Sequence, residues 1–115
     1  MKVIFHINEP EKWEPLLGNV INLLKDVGDE AIEVCVLMNG PSVKALSDVP
    51  LLKRMEELSD RGVRFLVCRN SLQALCGSGE ICIDEKNLPE FITVVPAGVT
   101  ELIRRQTEGY AYIKP

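Results

Sequence analysis

Cys68 is the residue around which chemistry can be built. It closes the run Gly62-Val63-Arg64-Phe65-Leu66-Val67-Cys68 and is followed at once by Arg69-Asn70-Ser71. The β-branched and aromatic run, bounded by Gly62 and by Asn70-Ser71, is punctuated as a core strand. Asn70 or Ser71 can then cap a helix continuing through Leu72, Gln73, Ala74 and Leu75. A free thiol has a pKa of ~8.5, but unpaired N–H groups, the positive end of a helix dipole and a cation such as Arg69 can lower it. A thiolate so placed can attack or accept sulfur. The plainer reading is a packed cysteine ending a strand, because free cysteine is among the most buried residue types.

Other chemistry-bearing residues gather at comparable places. His6 and Asn8 follow the first apolar run, Asn39 and Gly40 the second, and Gly98 sits in the turn Pro96-Ala97-Gly98 after the fourth. If the runs are parallel strands, these residues share one edge with Cys68, Asn70 and Ser71, where ligands bind in such sheets. One nucleophile, one base and several amide donors would then meet. His6 also reads as a hydrogen-bonded strand-end histidine, and Asn39-Gly40 as turn chemistry.

Several alternatives are weakly signalled. Cys68, Cys76 and Cys82 contain no C-x₂-C pair and the only histidine lies far away, so no metal site is expected. Gly77-Ser78-Gly79 lacks a phosphate loop's spacing and its Lys-Ser/Thr, and reads as a flexible loop. Asn8 to Lys12 carries no glycines to cradle a dinucleotide, so no cofactor is expected. Arg104-Arg105 reads as a solvated helix end, and Tyr110 and Tyr112 as packing residues on one strand face. The net charge of −4 and pI near 5.0 supply no positive field for nucleic acid or an anionic membrane. No run approaches the ~20 apolar residues of a membrane span, and no targeting segment is visible. Four cysteines without an export signal predict thiols in a reducing cytoplasm.

The elements that must position these residues follow from periodicity. Lys2 to Ile7 reads as a strand buried on both sides. Glu11 to Val27 carries Trp13, Leu16, Leu17, Val20, Ile21, Leu24 and Val27 on one helical stripe. Ala31 to Met38 reads as a strand containing a core Cys35. Ser42 opens a short helix, and Asp48 and Pro50 a longer one to about Asp60. After the central strand and its helix comes a looser segment from Cys76 to Phe91, with one turn at Asp84 to Leu88. Ile92 to Val95 is a strand, and Val99, Leu102 and Ile103 face inward from a helix ending near Glu108. Tyr110 to Ile113 is the last strand. Strands alternating with helices predict a single α/β domain over residues 1–115, a three-layer α/β/α fold with a mainly parallel five-stranded sheet.

Laid out in order, the segments Val-Ile-Phe-His, Val-Leu-Met-Asn-Gly-Pro, Gly-Val-Arg-Phe-Leu-Val-Cys-Arg-Asn-Ser-Leu, Val-Val-Pro-Ala-Gly-Val-Thr-Glu-Leu and Gly-Tyr-Ala-Tyr-Ile-Lys-Pro resemble the DsrE/DsrF-like family, in its small single-domain, YchN-like branch. The resemblance runs nearly end to end. It implies a three-layer α/β/α fold, assembly into trimers or hexamers, and a cysteine at the end of the third strand. In sulfur-relay members that cysteine carries a persulfide between donor and acceptor proteins, and by position it is Cys68. Two functions follow as expectations. One is a sulfane-sulfur carrier, with Asn39, Asn70 and backbone N–H groups holding the anion. A variant has Cys76 or Cys82 resolving an oxidised Cys68. The other is a non-catalytic oligomeric module whose edge binds a small ligand or partner, with Cys68 a structural thiol.

Overall fold

The computed structural model describes all 115 residues. Its strands are β1 (Lys2–Ile7), β2 (Glu33–Met38), β3 (Arg64–Cys68), β4 (Ile92–Val95) and β5 (Ala111–Ile113). They form one sheet in the order β4-β3-β2-β1-β5, and every pairing is parallel. All the strand ends therefore open on one edge.

The helices are α1 (Trp13–Val27), α2 (Val49–Asp60), α3 (Arg69–Gly77) and α4 (Gly98–Thr107), with 3-10 segments at Pro10–Lys12, Gly40–Ser47 and Glu85–Asn87. Steps from β1 to β4 all move one way across the sheet, and right-handed crossovers put their helices on one face. The last step reverses, returning from β4 to the far side of β1. It leaves α4 alone on the other face.

The core divides accordingly. On the three-helix face a cluster of 21 buried residues joins Phe5, Val36 and Phe65 to Trp13, Leu16 and Leu17 of α1, Met55 of α2 and Leu72 of α3. On the α4 face the buried apolar cluster has only seven members, Ile4, Cys35, Leu37, Leu66, Val95, Leu102 and Tyr110. Trp13 donates its indole N–H to the Ser42 carbonyl at 3.0 Å, tying α1 to the segment after β2. Asp48 accepts from the Leu51 N–H at 3.1 Å and caps α2.

Several expectations need correction. Val99 and Ile103 do not face inward; they are 64% and 60% exposed, and Leu102 alone of the three is buried. Arg105 is no solvated cation, since it bonds the Glu101 carboxylate at 2.7 Å and the Tyr110 hydroxyl at 3.1 Å. Cys76 and Cys82 are not free thiols but form a disulfide with each other. Thiols remain only at Cys35 and Cys68, so the compositional argument for a reducing compartment rests on those two. No helix is long and apolar enough to cross a membrane.

Candidate functional site

Cys68 is both the last residue of β3 and the N-cap of α3, with extended backbone at φ −75° and ψ 119°. The helix thus begins two residues sooner than an Asn70 cap, and three sooner than a Ser71 cap, would start it. Asn70 and Ser71 lie inside its first turn, where their N–H groups have no helical partner. Those N–H groups lie close enough to the thiol to lower its pKa, although they form no capping hydrogen bond with it.

Burial by itself pushes the Cys68 pKa up. The Ser71 hydroxyl and the N–H groups of Gly98, Ser71 and Asn70 outweigh it, and hold the thiol below its ordinary range. The Gly98 contact is 3.3 Å from N–H to Sγ. It depends on a missing side chain: a Cβ on Gly98 would lie 3.3 Å from Leu37 Cδ2, 3.4 Å from Cys68 Cβ and 3.6 Å from Asn39 Cβ. Two helix starts therefore converge on one sulfur, α3 by its own first turn and α4 through Gly98. Arg69, expected to act as a local cation, is engaged elsewhere. Its guanidinium forms a fork with the Glu85 carboxylate at 2.8 and 3.0 Å.

A polar chain approaches the same corner across the sheet. Met38 pairs with Val67, so Asn39, one step on, stands beside Cys68 on the α4 face. The Asn39 side-chain oxygen lies 2.8 Å from His6 Nε2, and His6 Nδ1 lies 2.6 Å from the Tyr112 hydroxyl. An amide oxygen only accepts, so Nε2 carries the proton and Nδ1 accepts from the phenol. Burial raises the Tyr112 pKa and keeps that phenol a donor. Tyr112, read from the sequence as a packing residue, is instead part of this chain.

The other expected residues are placed as follows. Gly40 takes φ +57°, which its lack of a side chain permits, and donates its N–H to Ser71 Oγ at 2.8 Å. Asn8 packs against Gly40, with its side-chain oxygen buried and without a hydrogen-bond partner. Asn70 is exposed and contributes through its backbone. A cavity of about 300 Å³ opens beside them, lined by Gly40, Pro41, Asn70, Ser71, Ala74 and Glu80. Cys68 does not line it and is 5% exposed. Cys76 stands eight residues beyond Cys68 along α3, about 12 Å at the rise of a helix. It is bonded to Cys82, so neither is placed to resolve Cys68. No group of three or more His, Cys, Asp or Glu is arranged to hold a metal.

Comparison with known proteins decides the lineage. The family model described as the DsrE/DsrF-like family matches residues 1–115. The chain belongs to that family. This member of it is similar to a solved structure of a protein of unknown function, MTH1491 from Methanobacterium thermoautotrophicum. The identity is 38%, the TM-score is 0.84, and the match covers 99% of this chain and 98% of that one. No curated protein matches. The DsrE/DsrF-like family is associated with sulfur relay, and the fold expected from the sequence is the one found.

Proposed function

We propose that the protein is a sulfane-sulfur carrier in which Cys68 accepts sulfur as a persulfide. The observation that carries the reading is the Gly98 N–H on Sγ at 3.3 Å, with Ser71 and Asn70 of the first turn of α3 beside it, which together keep the thiol below its ordinary pKa despite burial. The Cys68 thiolate attacks the outer sulfur of a donor persulfide, R–S–SH. The new Sγ–S bond forms as the donor's S–S bond breaks, and R–S⁻ leaves with the electron pair. It takes up the proton that the new, more acidic persulfide gives up, so the step needs no outside oxidant or reductant. Transfer to an acceptor is the same step reversed.

This reading calls for donor and acceptor proteins that meet the carboxyl edge of the sheet, and for a compartment such as the cytoplasm where Cys68 stays reduced. A homo-oligomer, trimer or hexamer, belongs to it as well. The exposed Val99 and Ile103 of α4 suit burial between copies, and sedimentation that gives only the monomer mass would remove that part. The test of the carrier is intact-mass spectrometry after exposure to a sulfane-sulfur donor, with peptide mapping. A reducible gain of one sulfur on Cys68, absent from Cys68→Ser, is expected.

The cavity beside Gly40 and Ser71 favours a second reading. It is bounded by the first turn of α3 but does not reach Cys68, as a ligand-binding module with a structural thiol would have it. Wild-type protein that gains no sulfur, together with ligand binding retained in Cys68→Ser, would establish that reading instead.

A further inference from the structure

The donors already described hold Sγ itself, yet a persulfide places its charge on an outer sulfur about 2 Å farther out. Something must face that atom. The sheet offers one group. Asn39 stands between two neighbours, Cys68 on the β3 side and the β1 strand carrying His6 on the other. The amide is planar, with its oxygen and nitrogen on opposite sides of Cγ, and His6 claims the oxygen at 2.8 Å. The nitrogen is thereby turned away from β1, toward the cysteine side. It makes no hydrogen bond within the chain. Asn39 and Cys68 each bring their Cβ to within 3.6 Å of the same point above Gly98.

The direction of the amide is fixed from a distance. A neutral imidazole can donate from either nitrogen, and only the Nε2–H form directs the Asn39 oxygen toward His6. If the proton sat on Nδ1, Nε2 would accept, the amide would flip, and its oxygen would face the sulfur anion. The Tyr112 hydroxyl at 2.6 Å from Nδ1 favours the first form, because a phenol donates more strongly than it accepts and Nδ1 is the acceptor it faces. Tyr112 is 40% exposed, so the row runs from the surface on β5 through β1 and β2 to the buried sulfur on β3.

We infer that Tyr112 and His6 are positioning residues of the sulfur site: by fixing the imidazole tautomer they hold the Asn39 amide with its N–H toward the anion on Cys68. The inference rests on the carrier reading for its substrate, the outer sulfur, but its hydrogen-bond geometry applies equally to the bare thiolate. Charged groups on neighbouring elements do not replace this chain. Arg69 is forked to Glu85, Arg105 of α4 is bonded to Glu101, and Arg64 of β3 is exposed and four residues from Cys68.

The test measures the pH profile of Cys68 alkylation by iodoacetamide, and the half-life of the Cys68 persulfide after loading from a small sulfane donor, in wild type, Tyr112→Phe and Asn39→Asp. Equal melting temperatures for wild type and Tyr112→Phe establish that the fold is intact. Tyr112→Phe is expected to move the alkylation midpoint up by about half a unit, and Asn39→Asp, which sets a carboxylate beside the thiolate, by about 1 unit. The persulfide half-life should fall about threefold in Tyr112→Phe. An unchanged midpoint in Tyr112→Phe would overturn the inference whatever Asn39→Asp does, because a merely structural tyrosine leaves the profile where it was. A wild-type protein that takes up no sulfur while the midpoints still shift would sink the carrier reading and leave the positioning chain standing. Sulfur uptake with unshifted midpoints would do the reverse.

Discussion

Cys35 and Cys68 lie on adjacent strands, point to the same face of the sheet and are both buried, at 0% and 5% exposure. Their acidities nevertheless move in opposite directions. Cys35 is raised, mainly by burial, with Arg105, Arg64 and the Tyr110 hydroxyl offsetting only part of it. Cys68 carries the same kind of burial penalty and is lowered all the same. The difference lies in what each part of the strand leaves free. In mid-sheet every backbone N–H is spent on the ladder, whereas at the carboxyl edge the first turns of α3 and α4 present N–H groups with no helical partner. Burial is shared by the two cysteines; unpaired donors are not.

The comparison can be broken most directly by labelling. Iodoacetamide at pH 7 should modify Cys68 at least about 100-fold faster than Cys35, and Cys68→Ser should abolish the fast phase while Cys35→Ser leaves it intact. Comparable rates at the two thiols would mean that the edge confers nothing. Gly98→Ala comes next. Its methyl group must displace Leu37, Cys68 or the start of α4, drawing the N–H off Sγ, so labelling at pH 7 should fall about tenfold, with a stability loss of about 1–3 kcal/mol in urea titration.

A smaller effect sharpens the contrast by its sign. The folded pKa of Cys68 is below that of the unfolded thiol, so between the two the unfolded chain binds more protons. The stability advantage of wild type over Cys68→Ser should therefore grow as pH rises through the lowered pKa, and level off above ~8.5. For Cys35 the folded pKa is the higher one. The advantage of wild type over Cys35→Ser should hold below ~8.5 and shrink as pH rises beyond it. Thermal melts of the three proteins from pH 6 to about 10 would check both slopes, and parallel curves would erase the distinction. Glu85→Gln should do least. Arg69 and Glu85 are partly exposed and screened, so labelling of Cys68 should stay within about twofold of wild type.

Much of this edge could be read before any coordinates. Short apolar runs separated by helix-length segments force a parallel sheet, and that alone brings His6, Asn39, Cys68 and Gly98 to one rim. Pairings between distant residues were out of reach. Nothing local to Tyr112 shows that it meets His6, 106 residues away, because that contact depends on β5 returning past three strands to pair with β1. The inward reading of Val99 and Ile103 failed for a related reason. Their spacing is amphipathic, but α4 lies alone on its face and contacts the sheet along a narrow strip. The cap of α3 was misplaced because Asn and Ser are the usual cap residues, and here the strand runs into the helix without a loop. The pairing of Cys76 with Cys82 is not legible in composition, which says nothing about two cysteines brought together at the end of α3.

The strand order also has a consequence in time. A chain made from its amino end produces the nucleophile, the first turn of α3 and the imidazole well before the strand that carries Tyr112. A nascent protein with β1 to β4 already paired would hold a sulfur centre whose orienting phenol had not yet been synthesised. Sulfur arriving at that stage would meet an imidazole free to carry its proton on either nitrogen. The placement of β5 beside β1 thus makes full orientation of the site wait until β5 has been made, after β1 to β4.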